Sequence, residues 1–185
     1  PTITDNYTYD NIWNLVWSVI TLTPADAIPS SSIQTTKYCW GSTCNVATWT
    51  VGTSIPATWQ INNTLRYRTW DIAWNASVIW TIIVKVDTTD PTISANNASP
   101  TLWRNIQVPI TLSVWDTGWS GISYAKYSWN NNDATCRSTW TWLTNENTII
   151  VPAQWTHVLY LCTTDIAWNN QSWNGTYKYD SVIPT

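Results

Sequence analysis

The residues able to do chemistry are few. The chain has four cysteines, one histidine and eleven acidic residues, and the single glutamate is Glu146. His157 stands in Gln154-Trp155-Thr156-His157-Val158-Leu159-Tyr160 with no second histidine in the chain. A general base needs an orienting partner and a nucleophile within reach. No Gly-x-Ser-x-Gly phrase, phosphate loop or metal-binding pair supplies them. One glutamate excludes a two-Glu glycosidase site, although aspartates could fill those roles. His157 therefore reads as an ordinary surface histidine, and the expectation is a protein without catalysis. Among the acids, Asp87 and Asp90 flank a short Thr-Thr stretch, and Asp26, Asp71 and Asp116 fall in loops. Loop carboxylates can bind calcium and stiffen linked β-domains. They serve equally as solvated linker residues and turn caps, and no loop gathers three of them. The expectation is no metal and no cofactor, with Asp87 and Asp90 the residues that would take calcium. The histidine and cysteine spacings do not make a zinc site.

The remaining composition narrows the partners. Charged residues are 10% of the 185 and the net charge is −3, which argues against a nucleic-acid surface built from clustered Lys and Arg. Thr, Ser and Asn carry most of the polarity, a β-branched and uncharged mixture suited to exposed sheets outside the cell. No apolar run reaches the length of a membrane span. The Asn-x-Ser/Thr matches, such as Asn6-Tyr7-Thr8 and Asn75-Ala76-Ser77, are of the frequency expected by chance in so Asn- and Thr-rich a chain.

Those residues are held by a repeat. Pro1-Thr2-Ile3-Thr4 returns as Pro91-Thr92-Ile93-Ser94, and Ile20-Thr21-Leu22-Thr23 as Ile110-Thr111-Leu112-Ser113, both at a spacing of 90. Asp71-Ile72-Ala73-Trp74-Asn75 returns as Asp165-Ile166-Ala167-Trp168-Asn169 at 94. The small drift in spacing places insertions between elements. Two homologous units follow, residues 1–89 and 90–185. The chain closes on Pro184-Thr185, the opening of the same phrase, so it reads as a piece of a longer array. Ile106, Val108, Ile110, Leu112 and Val114 alternate with polar residues, the period of a half-buried strand, with Pro109 removing one ladder donor. Further strands are expected at Leu65–Arg68, Thr81–Val86, Val158–Leu161 and Thr176–Tyr179. About seven short strands per unit and no sustained helical period give an all-β fold, two β-sandwiches in series. Four cysteines allow three pairings. Pairing within units, Cys39 with Cys44 and Cys136 with Cys162, suits independent folding in an oxidising compartment.

The tryptophans fit this frame badly. There are 17 Trp, no Phe and 5 Gly. Trp74 and Trp168 stand in turn phrases, as does Trp119 in Gly118-Trp119-Ser120-Gly121, where backbone geometry favours glycine. A gene that uses UGA for glycine, as some bacterial lineages do, reads this way when UGA is translated as Trp. Reading every Trp as Gly raises glycine from 5 to 22, about 12% of the chain against a usual share of about 7%. With that substitution Asp-x-Ala-Gly-Asn, followed by Val86-Asp87-Thr88-Thr89-Asp90-Pro91-Thr92, resembles the tandem bacterial Ig-like repeats of large surface and adhesin-type proteins. The segment Asp116-Thr117-Gly118-Trp119-Ser120-Gly121-Ile122 is similar to the Asp-x-Gly-Gly-Ser-Gly-Ile turn of such repeats. The resemblance covers both units and implies Ig-like sandwiches on the cell surface, acting as a spacer or presentation segment. The implied partners are other repeats of the same chain, surface glycans, or proteins of a host or neighbouring cell. The alternative is a carbohydrate-binding module, in the manner of one appended to a secreted hydrolase, which requires genuine indoles and in which Trp70, Trp74 and Trp80 would stack on sugar rings.

Overall fold

In a computed structural model of the chain, the described residues are 1–8, 12–14, 18–27, 31–45, 48–57, 60–98, 102–130, 140–143 and 147–182. They contain no α-helix. The chain divides into two compact units, Pro1–Thr88 and Thr89–Thr185.

Unit 1 pairs a three-stranded sheet with a five-stranded one. β1 (Thr2–Asp5), β3 (Ser18–Ala25) and β6 (Ser54–Ala57) form the first, in the order β1-β3-β6. The second runs β2 (Trp13–Asn14), β8 (Trp80–Val86), β7 (Ile61–Asp71), β4 (Ile33–Trp40), β5 (Thr50–Val51). Unit 2 repeats this plan. β9 (Thr92–Ala95), β11 (Ile110–Trp115) and β14 (Thr148–Ile149) are ordered β14-β11-β9. β10 (Trp103–Arg104), β16 (Asn170–Tyr179), β15 (Trp155–Asp165), β12 (Ile122–Trp129) and β13 (Thr141–Trp142) follow one another in the larger sheet. Pairing is antiparallel except at β2–β8 and β10–β16, where two residues of each short strand run parallel to the unit's last strand. This is a pair of immunoglobulin-like sandwiches.

Each core is filled by alternate residues of facing strands. Ile3, Ile20, Leu22, Ile55, Leu65, Tyr67, Val84 and Val86 are buried in unit 1. Ile93, Ile110, Leu112, Leu159, Leu161 and Tyr177 are buried in unit 2. Burying one such aliphatic side chain contributes about 1.5–3 kcal/mol, so period-two burial drives the assembly. The strand expected over Ile106–Val114 begins only at Ile110. Ile106 is exposed, and Pro109, with no backbone N–H to give, stands immediately before the first paired residue. Alternation continued in the sequence past the point where pairing could begin.

The repeat also sets local polar contacts. The Asn6 carboxamide oxygen accepts the Thr21 N–H at 2.7 Å, and Asn96 accepts the Thr111 N–H at 2.8 Å, tying the chain just after the first strand to its neighbour in both units. The Tyr177 hydroxyl donates to the Asn96 carbonyl at 2.8 Å, and burial pushes its phenol well above the ordinary value.

Candidate functional site: the Asp–Asn turns and the acidic loops

The repeated Asp-Ile-Ala-Trp-Asn phrase builds the same device twice. In unit 1 the Asp71 carboxylate accepts the Asn75 N–H at 2.8 Å through one oxygen and the Asn75 carboxamide at 2.8 Å through the other. The Asp71 N–H donates back to the Asn75 carbonyl at 3.0 Å. In unit 2 Asp165 accepts the Asn169 N–H at 2.8 Å and its carboxamide at 2.6 Å, and Asp165 N–H donates to Asn169 at 3.1 Å. Asp165 and Asn169 are buried. The fourth residue of each turn closes it, with Trp74 N–H on the Asp71 carbonyl and Trp168 N–H on the Asp165 carbonyl. This geometry forces that residue into the left-handed region, φ 66° at Trp74 and 75° at Trp168. The position is one that glycine or asparagine occupies without strain and an indole-bearing residue does not.

The three turn tryptophans thus divide. Trp74 and Trp168 have positive φ; Trp119 does not, because the left-handed residue of its loop is Gly121, at φ 78°. The steric argument for glycine at 119 therefore falls away. Trp155 at the start of β15, which no turn signal marked, has φ 92°. Of the fifteen described tryptophans eight are exposed, among them Trp74, Trp119, Trp155 and Trp168; only Trp49 and Trp140 are buried.

The turn aspartates sit beside a second loop carboxylate. In unit 1 Asp26 and Asp71 line a cavity of about 400 Å³ with Pro1, Ser31 and Asn75. One Asp26 oxygen lies 3.5 Å from the Pro1 nitrogen; the other is buried with no hydrogen-bond partner among the described residues. In unit 2 a ligand oxygen of Asp116 lies within 4.8 Å of one of Asp165. Asp116 also orders its loop, accepting the Gly118 N–H at 2.7 Å and the Gly121 N–H at 2.8 Å. A pair of carboxylates can offer oxygens to a hard cation, but calcium takes six to eight. Of the two residues expected as calcium ligands, Asp87 is buried, with its N–H on the Asn14 carbonyl at 3.1 Å, and Asp90 is exposed. Asp71 and Asp165 carry the site's geometry; their role could be read in advance only from the recurrence of their Asn partners.

The hydrogen bond from the Asn75 carboxamide chiefly holds the Asp71 carboxyl below its ordinary value of 3.8, with burial opposing and further bonds from Asn75 N–H and Ser31 adding. A lowered folded value stabilises above the unfolded value, and the gain is lost as pH falls through the folded one. Asn75→Ala is therefore expected to melt below the parent chain at pH 7, with the gap closing as pH falls below about 3.8. Thermal melts at pH 7, 4 and 2.5 check this; a gap that stays constant would refute it.

The other reactive residues have structural surroundings. Cys39 and Cys44 are joined by a disulfide. Cys162 is buried in β15; the expected partner, Cys136, lies outside the described residues, as does Glu146. His157 Nε2 lies 3.2 Å from the Gln154 carbonyl, which can only accept, so Nδ1 accepts from the Asn130 carboxamide at 2.9 Å. Asn130 in turn accepts the Val158 N–H. The histidine pins a strand end, and among the described residues its ring nitrogens meet neither carboxylate nor nucleophile. The stacking trio does not form one platform either. Trp80 pairs with core-facing Tyr67, Trp70 lies on the opposite face of β7, and Trp74 is in the turn.

No family model matches the chain, and no curated protein matches it. Among solved structures it is similar to the fibronectin(III)-like modules of Clostridium thermocellum CbhA, at 13% identity over 96% of this chain and 95% of that one, with a TM-score of 0.39.

Proposed function

We propose that the chain is a pair of non-catalytic modules from an extracellular surface array, serving as spacer or presentation segment, and that Trp74, Trp155 and Trp168 stand where the native protein has glycine. The observation that carries the first part is the duplicated Asp–Asn clamp on two separate cores. Among the described residues every buried member of one core comes from residues 3–86 and every member of the other from 93–177. A module that closes its own core and its own turn can be repeated without redesign, which is what a spacer requires. The Cys39–Cys44 disulfide supports an oxidising compartment. The surroundings of His157 and the buried, internally bonded turn carboxylates support a role without catalysis. The second part is supported by the three positive φ angles.

If the units are modules, cleavage at Thr89 leaves two folded pieces, each melting within a few degrees of its transition in the uncleaved chain. Calorimetry of residues 1–88 and 89–185 prepared separately tests this. Loss of cooperative melting in either piece would point to an integrated binding domain. The gene tests the reading of the tryptophans: UGA is expected at positions 74, 155 and 168, and UGG at all three would overturn it.

A further inference from the structure

Unit 1 has four lysine and arginine side chains, and all lie on the outer face of its larger sheet. Leu65, Tyr67 and Thr69 of β7 point into the core, so Arg66 and Arg68 point out. Lys37 of β4 is directly opposite Arg68, and Lys85 of β8 is opposite Asn62, which shares the parity of Arg66 and Arg68. No outward position of β4, β7 or β8 is acidic; the face is completed by neutral polar groups such as Asn62, Thr64 and Thr81. Among the described residues the geometry pairs only Pro1 with Asp26, and none of these four side chains lies in an ion pair with a described carboxylate. Like charges directly opposite across a strand pair repel. Here Lys37 and Arg68 are opposite, with their charged ends 5.7 and 4.9 Å from the same Trp70 ring. Arg66 is held between the Ser42 carbonyl, 3.4 Å away in the disulfide-closed loop, and the Trp49 ring at 6.0 Å. The rings and the loop fix the guanidinium groups in place.

We propose that this face binds a uronic-acid polysaccharide, its carboxylates taken by Arg66, Arg68, Lys37 and Lys85 and its hydroxyls by the intervening Thr and Asn side chains. Guanidinium groups fixed in orientation suit planar carboxylates. Arg66 and Arg68 are two residues apart, about 6.6 Å along the strand, and neighbouring strands are about 4.8 Å apart, so the patch spans a few sugar units. A duplex nucleic acid, with a charge every 1.7 Å or so, would run past so small a patch onto a chain of net charge −3. Unit 2 is the internal comparison: in the same sheet position Lys126 faces Cys162, where Lys37 faces Arg68, and Tyr160 replaces Arg66. Its face has no arginine on the central strand.

Affinity electrophoresis of the 185-residue chain through gels containing polygalacturonate, a neutral cellulose derivative or no polymer tests the proposal, with duplex DNA as a competitor. Polygalacturonate alone is expected to retard the chain, less so as salt rises. Arg66→Gln with Arg68→Gln is expected to weaken retardation at least tenfold, while Arg104→Gln with Lys178→Gln, which removes the same charge from unit 2, leaves it unchanged. Should the arginine variant melt anomalously, Lys37→Gln with Lys85→Gln serves in its place. No retardation, equal loss in the unit 2 variant, or equally tight DNA binding would overturn the proposal. None of these outcomes depends on the melting behaviour that tests the spacer reading.

Discussion

Trp74→Gly and Trp168→Gly are each expected to stabilise the chain by about 1 kcal/mol, an uncommon sign for removing so large a side chain. Both residues are mostly exposed, so little burial is lost. Both hold positive φ, at which a side-chain-bearing residue costs about 1–2 kcal/mol. The flexible glycine of the unfolded chain returns about 0.5–1 kcal/mol of that gain. Trp155, at φ 92°, is expected to behave alike. The reverse is expected at Trp49 and Trp140, which are buried. There the same substitution should cost about 3 kcal/mol, the lower end for a buried Trp because each indole N–H is buried with no hydrogen-bond partner among the described residues. At 4–8 °C per kcal/mol for a domain of this size, melting curves separate the two classes by some 20 °C. Similar losses at all five positions would show that backbone strain does not distinguish them.

Asp165→Ala is expected to cost unit 2 about 3 kcal/mol. The change removes the carboxylate that accepts the Asn169 N–H and carboxamide, and hydrogen bonds to a charged group contribute about 1.5–3 kcal/mol each. It also frees the turn that joins β15 to β16. Asp165→Asn should recover part of the loss, because its carboxamide oxygen can still accept one of the two donors. Separate melting transitions for the two units would show unit 2 falling while unit 1 holds; a fall of less than 1 kcal/mol would remove the clamp from the account of stability.

How much of this could be read from the residues depended on whether the signal was local or recurrent. The Asp–Asn turns were legible because the phrase occurs twice, and the core positions Ile20, Leu22, Ile110 and Leu112 because alternation and repeat agree on them. Ile106 and Val108 misled because alternation says which side a residue faces, not whether a partner strand is present. Trp119 misled because a turn cluster contains one left-handed residue and Gly121 already filled that place. Trp155 carried no turn signal, since its φ is set by where β15 begins. The basic face was hidden for another reason. Lys37 and Arg68 are 31 positions apart, and only the register of β4 against β7 makes them neighbours. The net charge of −3 averages over carboxylates at loop ends and cations on a sheet face, and so concealed both.

The parallel pairing of each unit's second short strand with its last strand has a mechanical consequence. Where two strands run parallel and one lies near the start of a module and the other at its end, tension along the chain pulls them past each other, loading their hydrogen bonds together in shear rather than opening them one at a time. Trp13–Asn14 against Lys85–Val86 and Trp103–Arg104 against Lys178–Tyr179 have this geometry, extended by Asp87 N–H on Asn14 and Asp180 N–H on Arg104. Each patch is only two residue pairs long, so it acts as a latch that yields first while the other four strands of its sheet stay paired. Under tension, such a module would lengthen by releasing its second strand from the last and re-form when the pull ends.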